Sequence, residues 1–203
     1  MPGRGRRYRF TSREERLKSP RRPTKDELLA AVGRHMPDLI APGLKVLFCG
    51  INPSVYSAVV GHHFARPGNR FWPALHASGF TDRLLAPSEQ EALLTLGHGI
   101  TNVVERATVS ADVLTAEELA AGGRQLEAKV RRYRPRCVAV LGIGAWRTAF
   151  GHPRASLGAQ PWTLGGTRVW VLPNPSGLNA HYRPGDLARL FRELRLAVES
   201  VGT

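Results

Sequence analysis

The sequence predicts an α/β fold: a single domain on a short, mainly parallel central sheet of four to five strands, flanked by helices on both faces. Three observations carry that expectation. Short, almost wholly apolar runs recur at 44–49 (LKVLFC), 137–141 (CVAVL) and 168–172 (RVWVL), the pattern of strands buried on both sides. Segments with helical period or capping signals separate them, and strands alternating with helices argue for a parallel sheet. A chain of 203 residues, 42% of them hydrophobic, suffices for one such domain with some tail left over.

In chain order, residues 1–23 (MPGRGRRYRFTSREERLKSPRRP) hold nine Arg or Lys against Glu14 and Glu15 and have no apolar period. They are expected to form a basic flexible tail, with residues 24–203 as the folded domain. Thr24-Lys25-Asp26-Glu27 fits a capping box. Leu28, Leu29 and Val32 give the short helix that follows an apolar face, and Pro37 is expected to end it. After the first strand, 50–70 reads as a long loop and 71–78 as a helix. Ser88-Glu89-Gln90-Glu91 reads as the cap of another helix, and 100–104 as a second strand. Thr115-Ala116-Glu117-Glu118 starts a long helix that ends near Tyr133, before Pro135. A helix over 145–150 follows the third strand. The last helix has Asp186 as its expected N-cap and Leu187, Leu190, Phe191, Leu194 and Val198 on one face.

Composition narrows the function classes. No run of about 18 apolar residues spans a membrane, and the basic N-terminus lacks the apolar core of a secretory signal. Cys49 and Cys137 each sit inside an apolar run. That favours buried, reduced thiols in a cytoplasmic protein over a disulfide framework, and two thiols cannot supply a four-cysteine iron–sulfur site. Adjacent His62 and His63 rarely converge on one ion and have no spaced partner, so no metal and no cofactor are expected. The net charge of +13 makes nucleic acid the leading partner, through phosphate neutralisation.

Parallel strands would bring the loops after them to one sheet edge, where ligands bind in such folds. In Gly50-Ile51-Asn52-Pro53-Ser54 the glycine allows close approach of backbone, and Pro53 biases Asn52 towards an extended conformation. Asn52 would present an amide that orients a water without deprotonating it, or else make an Asx turn. The segment His62-His63-Phe64-Ala65-Arg66-Pro67-Gly68-Asn69-Arg70-Phe71-Trp72 interleaves aromatics with arginines, as a surface stacking a base and holding phosphates would. Phe64 is the natural stacking residue, and Phe71 and Trp72 begin a core helix. Asn174-Pro175-Ser176-Gly177-Leu178-Asn179 presents a leucine among small polar neighbours. That leucine either packs inward or serves as the apolar wedge that base extrusion needs.

Together CGINPS, FARPGNRFWPALHASGFTDR, AGGR at Ala121–Arg124 and WVLPNPSGLN resemble the mismatch-specific uracil-DNA glycosylases, bacterial relatives of thymine-DNA glycosylase. The resemblance runs from about Leu39 to Glu199. It implies a uracil-DNA glycosylase-like fold and a monofunctional enzyme of base excision repair. Such an enzyme flips uracil, and related damaged pyrimidines such as ethenocytosine, from mispairs with guanine and hydrolyses the N-glycosidic bond. It implies that Asn52 positions the attacking water, Phe64 stacks on the extruded base, and Ile51 lends its main chain to the uracil edge. Ser57 would crowd the C5 position and Asn174 would support binding near the flipped nucleotide. Leu178 would be the wedge and backbone near Gly177 the reader of the widowed guanine, with Arg66, Arg70, Ser176 and Asn179 also on DNA. The expected partner is double-stranded DNA, met by a monomer in the bacterial cytoplasm at the nucleoid.

The chain also departs from that pattern. Ala180 stands where a relative carries an arginine, and His181, Tyr182 and Arg183 follow it. Asp112, where an amide is expected, is a second candidate catalytic residue that could supply the base Asn52 lacks, or a solvated turn aspartate. Two readings compete with the glycosylase. One is a non-catalytic module that binds mismatched or single-stranded DNA. The other is a nucleotide-binding enzyme at Gly142-Ile143-Gly144, against which Arg147 stands in place of a third glycine. A more active uracil enzyme would carry aspartate in the first loop, where this chain has Asn52.

Overall fold

A computed structural model describes residues 22–200. The helices are α1 (Lys25–Ala30), α2 (Val55–Val60), α3 (Phe71–Ala77), α4 (Ala92–Thr95), α5 (Ala116–Tyr133), α6 (Ile143–Phe150) and α7 (Pro184–Glu199). The strands are β1 (Val46–Gly50), β2 (His98–Asn102), β3 (Cys137–Leu141), β4 (Gly158–Leu164) and β5 (Thr167–Leu172). They form one sheet in the order β2-β1-β3-β5-β4. Neighbours pair in parallel, except that β4 runs antiparallel to β5.

Successive strand residues face opposite sides, so the same strands feed two cores. Val46, Phe48, Cys137, Ala139 and Leu141 pack against Phe71 and Leu75 of α3 and Leu187 and Phe191 of α7. Leu47, Cys49, Val138 and Val140 pack on the other side against Leu126 and Val130 of α5 and Trp146 of α6. This double-sided burial is why the strands read as continuous apolar runs. Cys49 and Cys137 therefore lie on opposite faces, free and buried. Burial pushes both thiols up, Cys137 to about 12, which makes them inert packing residues at neutral pH. Among the described residues no helix is long and apolar enough to cross a membrane.

Several local expectations are corrected. The 50–70 loop contains α2, started by Ser54, whose side chain accepts from the Ser57 N–H, and stopped by left-handed Gly61. The capping box at Thr24 forms, but α1 ends before Gly33 rather than at Pro37. Residues beyond Gly33 run alongside β2 instead, where Leu39 and Ile100 exchange backbone hydrogen bonds of 2.9 and 2.7 Å. Leu28 packs inward, while Leu29 and Val32 stay exposed. Ser88 caps no helix: it lies in a short 3-10 turn, Pro87–Glu89, whose Glu89 carboxylate accepts from the Ala86 N–H. Asp186 is the third residue of α7 rather than its N-cap, and accepts from the Arg183 N–H at 2.9 Å. β4 is an unforeseen strand at the sheet edge. Of the basic tail, residues 1–21 lie outside the described residues.

Candidate active site

Parallel pairing brings the carboxyl ends of β1, β2, β3 and β5 to one edge, and a cleft of about 380 Å³ opens there. Gly50 to Ser54 line it from β1, Asn102 from β2 and Leu141 from β3. The 108–112 segment, Ser57 and Phe64 complete the walls, and Asn174, Ser176, Leu178 and Asn179 approach from beyond β5. Nearly every residue read as functional thus reaches one cavity.

Asn52 is held hard. Its Nδ2 donates to Thr108 Oγ1 at 2.7 Å, to the Arg106 carbonyl at 3.1 Å and to the Pro53 carbonyl at 3.3 Å. Thr108 spends its own proton on the Ser110 carbonyl at 2.7 Å, so its oxygen can only accept from Asn52. Three acceptors on one side fix the amide NH₂ there, and Oδ1 is left as the group presented to the cleft. Asp112 reaches the same cleft on an exposed 3-10 turn, where its carboxylate accepts from Ser110 Oγ at 2.9 Å. Among the cleft-lining residues it is the one carboxylate.

Phe64 sits at φ +53°, a left-handed conformation that few aromatic residues adopt. Its ring stacks on Phe71, with centroids 4.1 Å apart. Behind it, Gly50 separates Phe64 from Asn102. A Cβ on Gly50 would stand 2.5 Å from Asn102 Oδ1 and 3.2 Å from the Phe64 ring. Asn102 is buried yet lines the cleft, and its side chain makes no hydrogen bond among the described residues. Ser57 is buried, and its Oγ accepts from Ala65 N–H at 3.2 Å and from Ser54 Oγ at 3.1 Å. The Ile51 carbonyl accepts from Val104 N–H at 2.9 Å.

In the loop after β5, Asn174 Oδ1 accepts from Ser176 N–H at 3.0 Å and Ser176 Oγ from Leu178 N–H at 3.3 Å. Leu178 stands 74% exposed at the cleft rim, which removes the inward-packed reading. Arg66 is exposed on the same rim. Arg70 and Asn179, both expected on DNA, make hydrogen bonds within the loop system, and Asn179 also lines the cleft. Arg70 donates to the carbonyls of Tyr182, Ser176 and Asn179. The Asn179 amide bonds the Asn174 carbonyl at 3.0 Å, and its Oδ1 accepts from His181 N–H. Gly177 lies against Gly68, whose carbonyl oxygen would be 2.5 Å from an added Cβ.

Sequence reasoning missed Asn102, Thr108 and Val109, the last 63% exposed on the cleft. Asn102 had a signal, an amide at the carboxyl end of a strand; Thr108 and Val109 had none. His62 and His63 do not converge, because His63 Nε2 bonds the Pro37 carbonyl at 3.0 Å. Among the described residues no group of three or more His, Cys, Asp or Glu is arranged to hold a metal ion.

A family model, the uracil DNA glycosylase superfamily, matches residues 37–195. The chain belongs to this superfamily. The uracil DNA glycosylase match takes in both cleft loops and the aromatic segment between them. The chain also resembles the solution NMR structure of a candidate uracil DNA glycosylase from Methanosarcina acetivorans. That match has a TM-score of 0.52 at 20% identity and covers 81% of this chain and 99% of that one. At that identity the likeness concerns the fold, a five-stranded mainly parallel sheet flanked by helices.

Proposed function

We propose that this member of the superfamily is a monofunctional glycosylase of the mismatch-specific branch, acting in base excision repair on uracil opposite guanine in duplex DNA. The observation that carries the reading is the Asn52 amide, locked by three acceptors with Oδ1 towards the cleft. Such a group orients a water and cannot take its proton. Uracil would stack on Phe64 with its polar edge towards Asn102, while Leu178 fills the gap in the duplex.

The C1′–N1 bond then breaks with its electron pair leaving on uracil, and the water held by Asn52 adds to C1′. Catalysis comes from placing that water and stabilising the anion. Lack of a strong base typically costs ~10²–10⁴-fold, so turnover is expected to be slow. None of the four lysines in the chain lies in the cleft loops, which supports hydrolysis without a Schiff base. The size of the cleft supports related pyrimidines such as ethenocytosine as further substrates. The same reading has the protein act as a monomer.

Incubation with duplex containing uracil opposite guanine, followed by hot alkali, tests this reading. Strand breakage is expected from the wild type, and Asn52→Ala should lower the single-turnover rate by about 100-fold or more. Retention of duplex without breakage would support the non-catalytic binding module instead. In the same assay, a tenfold or greater fall for Asp112→Asn would assign that carboxylate the proton of the water. An unchanged rate would leave that proton to solvent.

A further inference from the structure

Arg70 carries a positive charge into the loop system, yet among the described residues it meets no carboxylate. Its guanidinium donates to the carbonyls of Tyr182, Ser176 at 2.5 Å and Asn179 at 2.8 Å, and its backbone N–H to Pro175 at 2.9 Å. All four acceptors belong to the loop that carries Leu178. Gly177 seats that loop directly on the Gly68 backbone, with no room for a Cβ. On the other side of Arg70, Asn69 Oδ1 accepts from Phe71 N–H at 2.9 Å, and the Phe71 ring supports Phe64. One short segment, 64–71, thus holds both the stacking ring and the root of the exposed leucine.

We infer that Arg70 is a positioning residue: it fixes the Leu178 loop in its inserting shape before DNA arrives, and sets that leucine at a constant distance from the Phe64 platform. The planar guanidinium can reach several carbonyls at once, which a lysine ammonium on a flexible stem cannot reproduce. Leu178 has little packing of its own to order it. The loop must therefore be held from beneath, or be ordered at the expense of binding. The insertion role rests on the proposed glycosylase reading; the holding role does not.

A double-mutant cycle tests the inference. Arg70→Gln should slow single-turnover excision from duplex by about 10- to 100-fold, as misplaced groups do, and Arg70→Lys should not restore it. On a Leu178→Ala background the same change should cost no more than about twofold, because the group it positions is gone. The salt slope of duplex binding should stay the same. Equal losses on both backgrounds, or a salt slope lower by about one as for a lost phosphate contact, would overturn the inference. If Arg70→Gln does not fold, Arg70→Lys takes its place in the cycle with the same expectations, since it keeps the charge but loses the planar fork that reaches the Ser176, Asn179 and Tyr182 carbonyls. Hydrogen exchange separates the two levels. Amides of 176–182 should exchange faster in Arg70→Gln while those of β3 and β5 do not change, and unchanged loop exchange sinks the inference whatever the assay gives. Absence of excision by the wild type would count against the proposed function alone.

Discussion

Thr108 decides what Asn52 can do. An asparagine side chain alone is ambiguous, because its two ends differ only in donor and acceptor character. Thr108 Oγ1 donates to the Ser110 carbonyl and so accepts from Asn52, which turns the amide oxygen to the cleft. Thr108→Val keeps the shape and removes that acceptor. Single-turnover uracil excision should then fall about 2- to 10-fold, the size of one ordinary hydrogen bond, while duplex affinity holds. An undiminished rate would show that the Arg106 and Pro53 carbonyls are enough. Asn52 and Phe64 were legible in the sequence, since one is a polar residue after a strand and the other an aromatic in a basic segment. Thr108, 56 residues from Asn52, was not, because a threonine in a turn looks the same whether or not it touches a site.

At the scale of elements, α5 shows why a motif can be read before its reason is known. Ala121-Gly122-Gly123-Arg124 puts two glycines inside a helix, which normally weakens it. A Cβ on Gly122 would stand 2.2 Å from the Val103 carbonyl oxygen, and one on Gly123 2.8 Å from that of Ala149. The helix uses bare backbone to lie close on the end of β2 and on α6. Gly122→Ala should gain helix propensity yet destabilise the fold by about 1–3 kcal/mol, as overpacking against backbone does. A lower urea midpoint at constant slope is the expected reading, and a raised midpoint would mean the helix can shift. α5 is also tied across β2 by Lys129, which pairs with Asp38 and with Glu105 at 3.2 Å. β4 escaped the sequence reading because Gly158 and Pro161 break its pattern and most of it is exposed. Only the turn at Gly165 and Gly166, a hairpin signal, announced it.

For the whole molecule, two buried histidines, His98 at the pole away from the cleft and His63 beside the cleft, give an expected acid response. His98 opens β2, buried between the edges of Phe48 and Phe80. Burial, then the nearby positive charge of Lys45, pulls its pKa from 6.5 down to about 4, with Glu199 opposing; Arg136 and Arg195 border the same pocket. Between those values the unfolded chain binds a proton that the native chain refuses. Stability is therefore complete above pH 6.5 and falls as pH drops towards 4, by about 3 kcal/mol from this group at ~1.4 kcal/mol per unit. Buried His63, also lowered, adds in the same direction. His98→Leu should flatten this loss in urea unfolding at pH 7, 5.5 and 4.5; an equally steep loss would place the acid sensitivity elsewhere.

Local composition was enough to read the parallel sheet, though not α2 or β4, and to find most of the loops that line the cleft. Apolar runs of strand length must be buried on both faces, parallel strands must present their loops at one edge, and Asn52, Phe64 and Leu178 lie in those loops. Burial and chain reversal are properties of local composition, so they can be read one segment at a time. Tertiary structure alone decided which way the Asn52 amide points, that Asn102 lines the cleft, and that Arg70 grips a loop instead of facing outward. Each of those outcomes depends on a donor meeting an acceptor from a distant segment. Which distant groups meet is fixed only when the sheet order β2-β1-β3-β5-β4 brings their loops together.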